Sequence, residues 1–365
     1  MRNLAAAPCA AQCTRPRFHS TKPEMVCNPL IVASRLGIFA YNERCVPLHS
    51  LYARNFMDKN QQTRSYLMKK FETVGIRPRA KLGQNFLIDL NLLRLLYESA
   101  NLEKNDIVLE VGTGTGSLTA ELADRAAFVI TVELDSVLHE LAKQELYGRT
   151  NIRFLQTDIL KNKNKLSDEV LTAVRERLAL VPGGRFKLVA NLPYSIATPL
   201  MSNLLLTDIP PHSMTVTIQK ELADRVTAEP GTKDWGALSL WMQSQCKTEL
   251  VRVMPPSVFW PRPKVHSAIL RITYDEKRRN KIPDLKFFHE FCRAMFFHRR
   301  KFLRSELCSA FKQTLSKETI DRVMFEMNFD DKTRAETLDL KTMLKLCERC
   351  RKELAYLPEK ERKIL

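Results

Sequence analysis

Between residues 106 and 194 lie four short apolar runs, DIVLEV, FVITVEL, IRFLQTD and FKLVANLPY, each separated from the next by a stretch with helical spacing. Runs this short and rich in Val, Ile and Leu read as strands, while SLTAELADRA, SVLHELAKQEL and SDEVLTAVRERLAL read as helices. Strands that alternate with helices restrict the chain to an α/β fold, a largely parallel sheet covered on both faces. A helical pattern at 88–100 precedes the alternation. Beyond it come the helix TPLMSNLLL, the strand MTVTIQ, the helix KELADRVTA and the strands CKTELVRVM and SAILRITY. After about residue 283 the pattern is helical to the end, which predicts a second, smaller domain.

Charge narrows the class of partner. Against 41 Asp and Glu the chain carries 58 Lys and Arg, a net charge of +17. Such an excess points to a polyanion, either nucleic acid or an anionic membrane surface. No apolar run reaches the ~18–20 residues of a membrane span, so no spanning segment is expected; of the two polyanions, nucleic acid and no membrane is the expected partner. The nine cysteines form no disulfide framework: Cys9, Cys13, Cys27 and Cys45 crowd the start and the rest are scattered. Cys347 and Cys350 make a CxxC pair with no second pair or His cluster nearby, so two helical thiols are expected and no metal.

Residues 1–56 differ from everything after them, with seven Lys or Arg, two Asp or Glu and no sustained periodicity. Two explanations stand: an organelle transit peptide, or extra sequence ahead of a start at Met57. The first implies import into mitochondria, the second a cytoplasmic protein, and the second is the expectation. Residues 57–282 would form the α/β domain and 283–365 the helical one.

Every predicted strand of the first half ends on a polar residue. Glu110 opens the glycine-rich turn Glu110-Val-Gly112-Thr-Gly114-Thr-Gly116, Glu133 ends the second strand, Asp158 the third and Asn191 the fourth. Glycines at a strand-to-helix turn allow tight turning and close approach of a ligand. A carboxylate at the second strand end is where doubly wound folds hold ribose hydroxyls. The spacing is neither GxGxxG nor a Walker loop. Any one of the four could be a helix cap, Asp158 above all; together they converge on one crevice at the carboxyl edge of the sheet. The fourth strand stops abruptly in Asn191-Leu192-Pro193-Tyr194, because Pro193 cannot donate to a ladder.

With the spacing of EVGTGTG, VELD, QTDIL and NLPY, the chain resembles the Rossmann-like class I S-adenosyl-L-methionine-dependent methyltransferases. More narrowly, it resembles the rRNA adenine N6-dimethyltransferase family from about Ile76 to Leu338. KLGQNFLID (81–89), PPSVFWPRPKVHSAIL (255–270), RAMFFHRRKFLRSEL and RAETL carry that likeness. One departure is Gly112-Thr113-Gly114, where many relatives have Gly-Pro-Gly. The resemblance implies S-adenosyl-L-methionine as cofactor, touched by Asn85 and Leu87 from an N-terminal lid and by Gly112 and Gly114 in the loop. Glu133 would hold the ribose hydroxyls, Asp158 the adenine amino group, and Asn191 would face both cofactor and target. At the target, the Asn191 side-chain oxygen and the Leu192 carbonyl would accept from the adenine amino group, with Pro193 fixing the turn. Tyr194 would stack on the base, and Phe259 is the candidate for the other side of that sandwich.

Residues 275–365 hold 23 Lys and Arg against 16 Asp and Glu. Arg299, Arg300, Lys301 and Arg304 are expected to cluster on one helix beside Phe296 and Phe297 and to track phosphates. The implied activity is dimethylation of two adjacent adenosines in the 3′-terminal hairpin loop of small-subunit rRNA, by a monomer acting on the immature subunit. Two alternatives stay open: the macrolide-resistance type acting on large-subunit rRNA, and an organelle transcription factor that grips nucleic acid on the same fold. RAETL and GQNFLID favour the small-subunit type, and the intact Asn191, Pro193 and Tyr194 argue against a purely binding role.

Overall fold

The structure of the chain is a computed structural model that describes residues 63–356, apart from 74, 76, 77 and 80–82. The segment 1–56, with the choice between a leader and an over-long start, lies outside the described residues, as do Lys81 and Leu82 of the first family motif. All described residues belong to one compact unit, Met57–Leu365.

Helix α1 (Arg64–Thr73) and the two-residue strand β1 (Phe86–Leu87) lead into α2 (Leu90–Ser99). The alternation follows: β2 (Asp106–Val111), α3 (Ser117–Ala123), β3 (Phe128–Glu133), α4 (Ser136–Glu145) and β4 (Ile152–Gln156). A small hairpin, β5 (Leu160–Asn162) and β6 (Lys165–Leu166), precedes α5 (Asp168–Leu180) and β7 (Arg185–Asn191). Then come α6 (Ala197–Leu204), β8 (Ser213–Gln219), α7 (Lys220–Thr227), α8 (Ala237–Gln243) and β9 (Cys246–Met254). The short β10 (Phe259–Trp260) and the long β11 (Ser267–Tyr274) complete the strands. Helices α9 (Glu276–Arg279), α10 (Leu285–Met295), α11 (Leu303–Ala310), α12 (Lys317–Glu326) and α13 (Leu340–Leu354) finish the described chain.

Seven strands form the central sheet in the order β4-β3-β2-β7-β8-β11-β9. The first five are parallel, while β11 inserts antiparallel between β8 and β9. Strand order reverses between β2 and β7, and such a switch point opens a crevice at the carboxyl ends of the strands. The central strands are buried on both faces, which is why they read as continuous apolar runs. Their side chains still alternate: Ile107 and Leu109 join one core cluster, Val108, Val129 and Val189 the other. The first cluster continues without a break into Phe288, Phe291 and Leu346 of the C-terminal helices.

At the opposite edge of the sheet a buried ion cluster ties the starts of β2 and β7. Lys187 Nζ lies 2.7 Å from Asp106 Oδ2, with the two side chains 3% and 0% exposed. Asp106 also accepts from Arg185 and from the Glu103 amide, and Lys187 donates to the carbonyls of Ala100 and Asn101. Strand β1 stays outside the main sheet. It pairs antiparallel with β10, Phe86 opposite Trp260 and Leu87 opposite Phe259, and the Ile88 amide extends the ladder to the Val258 carbonyl at 2.9 Å.

Candidate active site

The crevice at the switch point is a cleft of about 310 Å³, at the small end of the range for ligand sites. It is lined by Asn85, Leu87, Gly112, Gly114, Glu133, Asp158, Asn191, Leu192, Pro193 and Tyr194. Of the eleven residues expected at the cofactor and the target, ten therefore meet in one place.

Its floor is the turn after β2. Gly112 and Gly114 have φ of 87° and 57°, values that disfavour side chains. A Cβ at Gly112 would sit 3.6 Å from the Pro193 ring, and one at Gly114 3.2 Å from the Phe86 ring. Two neighbouring elements thus close over bare backbone: the Pro193 turn on one side and the Phe86 lid on the other. The Gly114 amide donates to Glu133 Oε2 at 3.0 Å, and the Asp135 amide to Oε1 at 3.0 Å. Burial raises the Glu133 carboxyl above its ordinary range, against the pull of those amides.

Glu110 lies deeper, 1% exposed. Its Oε2 accepts from the hydroxyls of Thr119 at 2.6 Å and Thr131 at 2.7 Å, while Oε1 has no partner among the described residues. Burial pushes its carboxyl up to about 8, opposed by the two threonines and assisted by the nearby Glu133. The folded chain therefore holds a proton here that the unfolded chain releases near pH 4.5. Stability from this group is complete below that pH and is lost as pH rises toward about 8. Glu110→Gln, a neutral isostere, removes that titration. Melting curves from pH 5 to 8.5 should show the variant gaining on the parent with rising pH, by about 2–4 kcal/mol at the upper end. A pH-independent difference would contradict the assignment.

On the fourth strand end, Asn191 is half-buried and its amide Nδ2 donates to the Asn85 carbonyl at 2.8 Å. That bond fixes which end of the amide remains available: the oxygen. The Leu192 amide is held by the Thr217 carbonyl at 3.1 Å, so the turn that follows starts from a fixed point. Pro193 packs 3.4 Å from where a Cβ of Gly83 would be, and Tyr194 donates to or accepts from Ser267 Oγ at 2.6 Å. Ser267, fully buried at the start of β11, is the serine of the late motif. No expectation from the sequence gave it a task; its spacing after the prolines is the available signal. The lid is clamped similarly. Gln84 donates to Asp135 at 3.2 Å, and Asp135 in turn caps α4 through the amides of Val137 and Leu138.

Asp158 lines the cleft, and its Oδ1 accepts from the Leu160 amide at 2.9 Å. That bond closes a turn into strand β5 and no helix starts there, so the helix-cap reading of this residue does not hold.

Two expectations need correction. Phe259 was to flank the target base, but its side chain is 2% exposed and packed with Leu87, Leu93 and Ile269. Pairing with Leu87 in the β1–β10 ladder turns it inward, and alternation sends the neighbouring Trp260 the other way, against Phe71 and Phe86. Nor do the four basic residues share one helix. Arg299, Arg300 and Lys301 lie in the turn between α10 and α11, and only Arg304 is helical. Arg299 pairs with Glu336 at 2.9 Å and Arg304 with both oxygens of Asp321, whereas Arg300 and Lys301 are exposed without an ion pair among the described residues.

Cys347 and Cys350 are buried thiols of α13, and burial raises both thiols. Among the described residues no group of three or more His, Cys, Asp or Glu is placed to hold a metal, and no helix is long and apolar enough to cross a membrane.

Comparison with known proteins agrees with this geometry. Residues 75–346 match the ribosomal RNA adenine dimethylase family. Ribosomal RNA small subunit methyltransferase A of Geobacillus sp. (strain WCH70) is 36% identical over 286 residues, 78% of this chain and 95% of that protein. The protein of that name from Clostridioides difficile (strain 630) is 38% identical over 259 residues, 71% of this chain and 86% of its own. Among solved structures, a dimethyladenosine transferase from Plasmodium falciparum superposes with a TM-score of 0.59 at 25% identity, covering 73% of this chain and 97% of that one. The 23S rRNA methyltransferase ErmE shares the fold, with a TM-score of 0.51 at 23% identity over 73% of this chain and 99% of that one. With the glycine turn, the acidic strand ends and the Asn-Leu-Pro-Tyr turn gathered in one crevice, and a family match over most of its length, the chain belongs to the ribosomal RNA adenine dimethylases.

Proposed function

We propose that this protein dimethylates the N6 amino groups of two adjacent adenosines in the 3′-terminal hairpin loop of small-subunit rRNA during ribosome assembly. The observation that carries the reading is the fixed Asn191 amide, whose nitrogen is engaged by Asn85 so that its oxygen can face a donor in the cleft. Family membership makes the chain an S-adenosyl-L-methionine-dependent methyltransferase. The cleft fits that cofactor. Glu133 carries acceptors suited to ribose hydroxyls, and the bare backbone at Gly112 and Gly114 admits a close ligand. Asp158 and the lid residues Asn85 and Leu87 would complete the cradle. When bound, S-adenosyl-L-methionine supplies an electrophilic methyl group.

The protein's own task is to make a poor nucleophile usable. The lone pair of adenine N6 is delocalised into the ring. Asn191 Oδ1 and the Leu192 carbonyl accept hydrogen bonds from the amino group and draw the nitrogen toward tetrahedral geometry. Pro193 sets the direction of that turn. The Tyr194 ring, pinned by Ser267, offers a stacking face for a base taken out of its helix, a contact worth about 1–3 kcal/mol. Alignment for in-line transfer then supplies most of the acceleration. An unpaired loop adenosine needs little energy to flip. Arg300 and Lys301, exposed on the turn after α10, would meet flanking phosphates.

The same reading gives 57–282 as the catalytic part and 283–365 as the RNA-docking part, and takes the protein as a monomer acting on the immature subunit in the cytoplasm. Mitochondrial residence would follow if residues 1–56 prove to be a leader. The test supplies labelled cofactor with small subunits lacking the modification, and with large subunits and duplex DNA in parallel. Label recovered as dimethyladenosine only in the small-subunit rRNA is the expected result. Label in the large subunit would assign the macrolide-resistance type instead, and RNA binding without transfer would assign a binding protein.

A further inference from the structure

Away from the active-site cleft lies a larger groove of about 950 Å³, bounded by α13 on one side and by Pro230, Trp235, Gln243 and Ser244 on the other. Its charge is one-sided. Lys281, Lys341, Lys345 and Lys352 line it, are exposed, and have no ion-pair partner among the described residues. The acids in its wall are already engaged: Glu348 by both arms of Arg351 at 2.8 Å, and Asp339 Oδ1 by the Thr342 amide at 2.8 Å as the cap of α13. Lys341, Lys345 and Lys352 recur at helical spacing on one face of α13. At 1.5 Å per residue they cover about 16 Å of axis, enough to follow several phosphates and far more than one small anion requires.

The groove also abuts the basic turn of 296–302. The Thr232 carbonyl accepts from Arg299 at 3.1 Å, and the Gly231 amide donates to the carbonyl of Glu336, itself the partner of Arg299. The loop from Pro230 to Trp235 is therefore shared between turn and groove. We infer that the groove is a second seat for the phosphate backbone of RNA, distinct from the target-adenosine cleft and continuous with the Arg300–Lys301 turn. It grips a part of the rRNA remote from the methylated loop. This rests on the proposed rRNA substrate.

The experiment compares the full chain with its Lys341→Gln/Lys345→Gln/Lys352→Gln variant; Gln keeps helix propensity close to that of Lys. The charge-matched control is Lys247→Gln/Lys312→Gln/Lys317→Gln, three exposed lysines outside the groove. Binding to an unmodified small-subunit rRNA transcript is measured across a salt series. Each lost phosphate contact should reduce the slope of log K against log salt by about 0.7–0.9, so the groove variant should lose about 2. Its affinity for the transcript should fall at least about tenfold at moderate salt. Methylation of a short hairpin carrying only the target loop should be unchanged. Slopes equal to the parent's overturn the proposal, and so does an equal loss in the control, which would leave only net charge. Loss of binding to vesicles containing anionic lipid, with the RNA slope intact, would reassign the groove to a membrane surface. Failure of the parent chain to methylate the hairpin counts against the proposed function and not against the groove, whose slope is read independently.

Discussion

Asn191→Ala is expected to lower the single-turnover rate of methyl transfer about 10²–10³-fold at saturating cofactor and RNA. That range is typical when one preorganised polar group facing the reacting atoms is removed. The reason lies in how the amide is held. Its nitrogen donates to the Asn85 carbonyl at 2.8 Å, and the lid strand β1 that begins one residue later is tied in turn to β10. The side chain thus orients the acceptor and fastens the lid. Asn191→Asp separates the two tasks. It keeps an acceptor of the same shape but sets a carboxylate against a carbonyl, so it should lose orientation and recover little of the rate. Calorimetry of cofactor binding supplies the second readout, where a lid effect weakens binding and an acceptor effect does not. A rate within tenfold of the parent for both variants would remove Asn191 from the chemistry.

The largest expected effect on stability lies at the other edge of the sheet. Lys187→Ala leaves Asp106 fully buried with only Arg185 and one amide to balance it, and strands the carbonyls of Ala100 and Asn101. Breaking a buried pair from one side typically costs about 3–5 kcal/mol, because the remaining charge keeps its desolvation penalty. Denaturant unfolding should show a loss of at least about 3 kcal/mol with an unchanged m-value. The double variant Asp106→Leu/Lys187→Met, apolar on both sides, should recover part of it. A single-variant loss below about 1 kcal/mol would mean that Arg185 alone suffices. Since this cluster sits at the amino edge of the strands, the folded fraction of either variant should retain its cofactor affinity.

Much of this architecture could be read from sequence because central strands carry their own boundaries. β2, β9 and β11 begin and end on the residues expected, and β3, β7 and β8 lie within a residue or so at each end. Of these, β2, β3, β7 and β8 are buried on both faces and read as near-continuous apolar runs, whereas β9 is a largely exposed edge strand. The site followed from the same signal, for Glu133 and Asn191 end their strands, Glu110 lies one residue inside the end of β2 and Asp158 two residues past the end of β4, and parallel strands bring their ends to one edge. The direction of β9 and β11 carries no comparable mark, so the antiparallel insertion of β11 was not visible. Neither was β1–β10, since two residues are too few for periodicity, and the inward turn of Phe259 depends entirely on that ladder. The hairpin β5–β6 looked like a lysine-bearing loop for the same reason. The basic residues failed differently. Whether Arg299 or Arg304 can meet a phosphate is decided by Glu336 and Asp321, acids 37 and 17 positions away that only the fold brings near.

The ladder between β1 and β10 also bears on how the protein is made. Phe86 and Trp260 are 174 positions apart, and Tyr194 waits for Ser267. A nascent chain leaving the ribosome has its glycine turn, Glu133, Asp158 and Asn191 long before it has the partners that fasten the lid and the ring. During elongation the crevice is therefore an open half-shell. Cofactor affinity should arrive late and in one step, when the segment around residues 259–267 emerges and docks. Translation arrested short of that point would leave chains that carry every cofactor-binding residue and hold no cofactor.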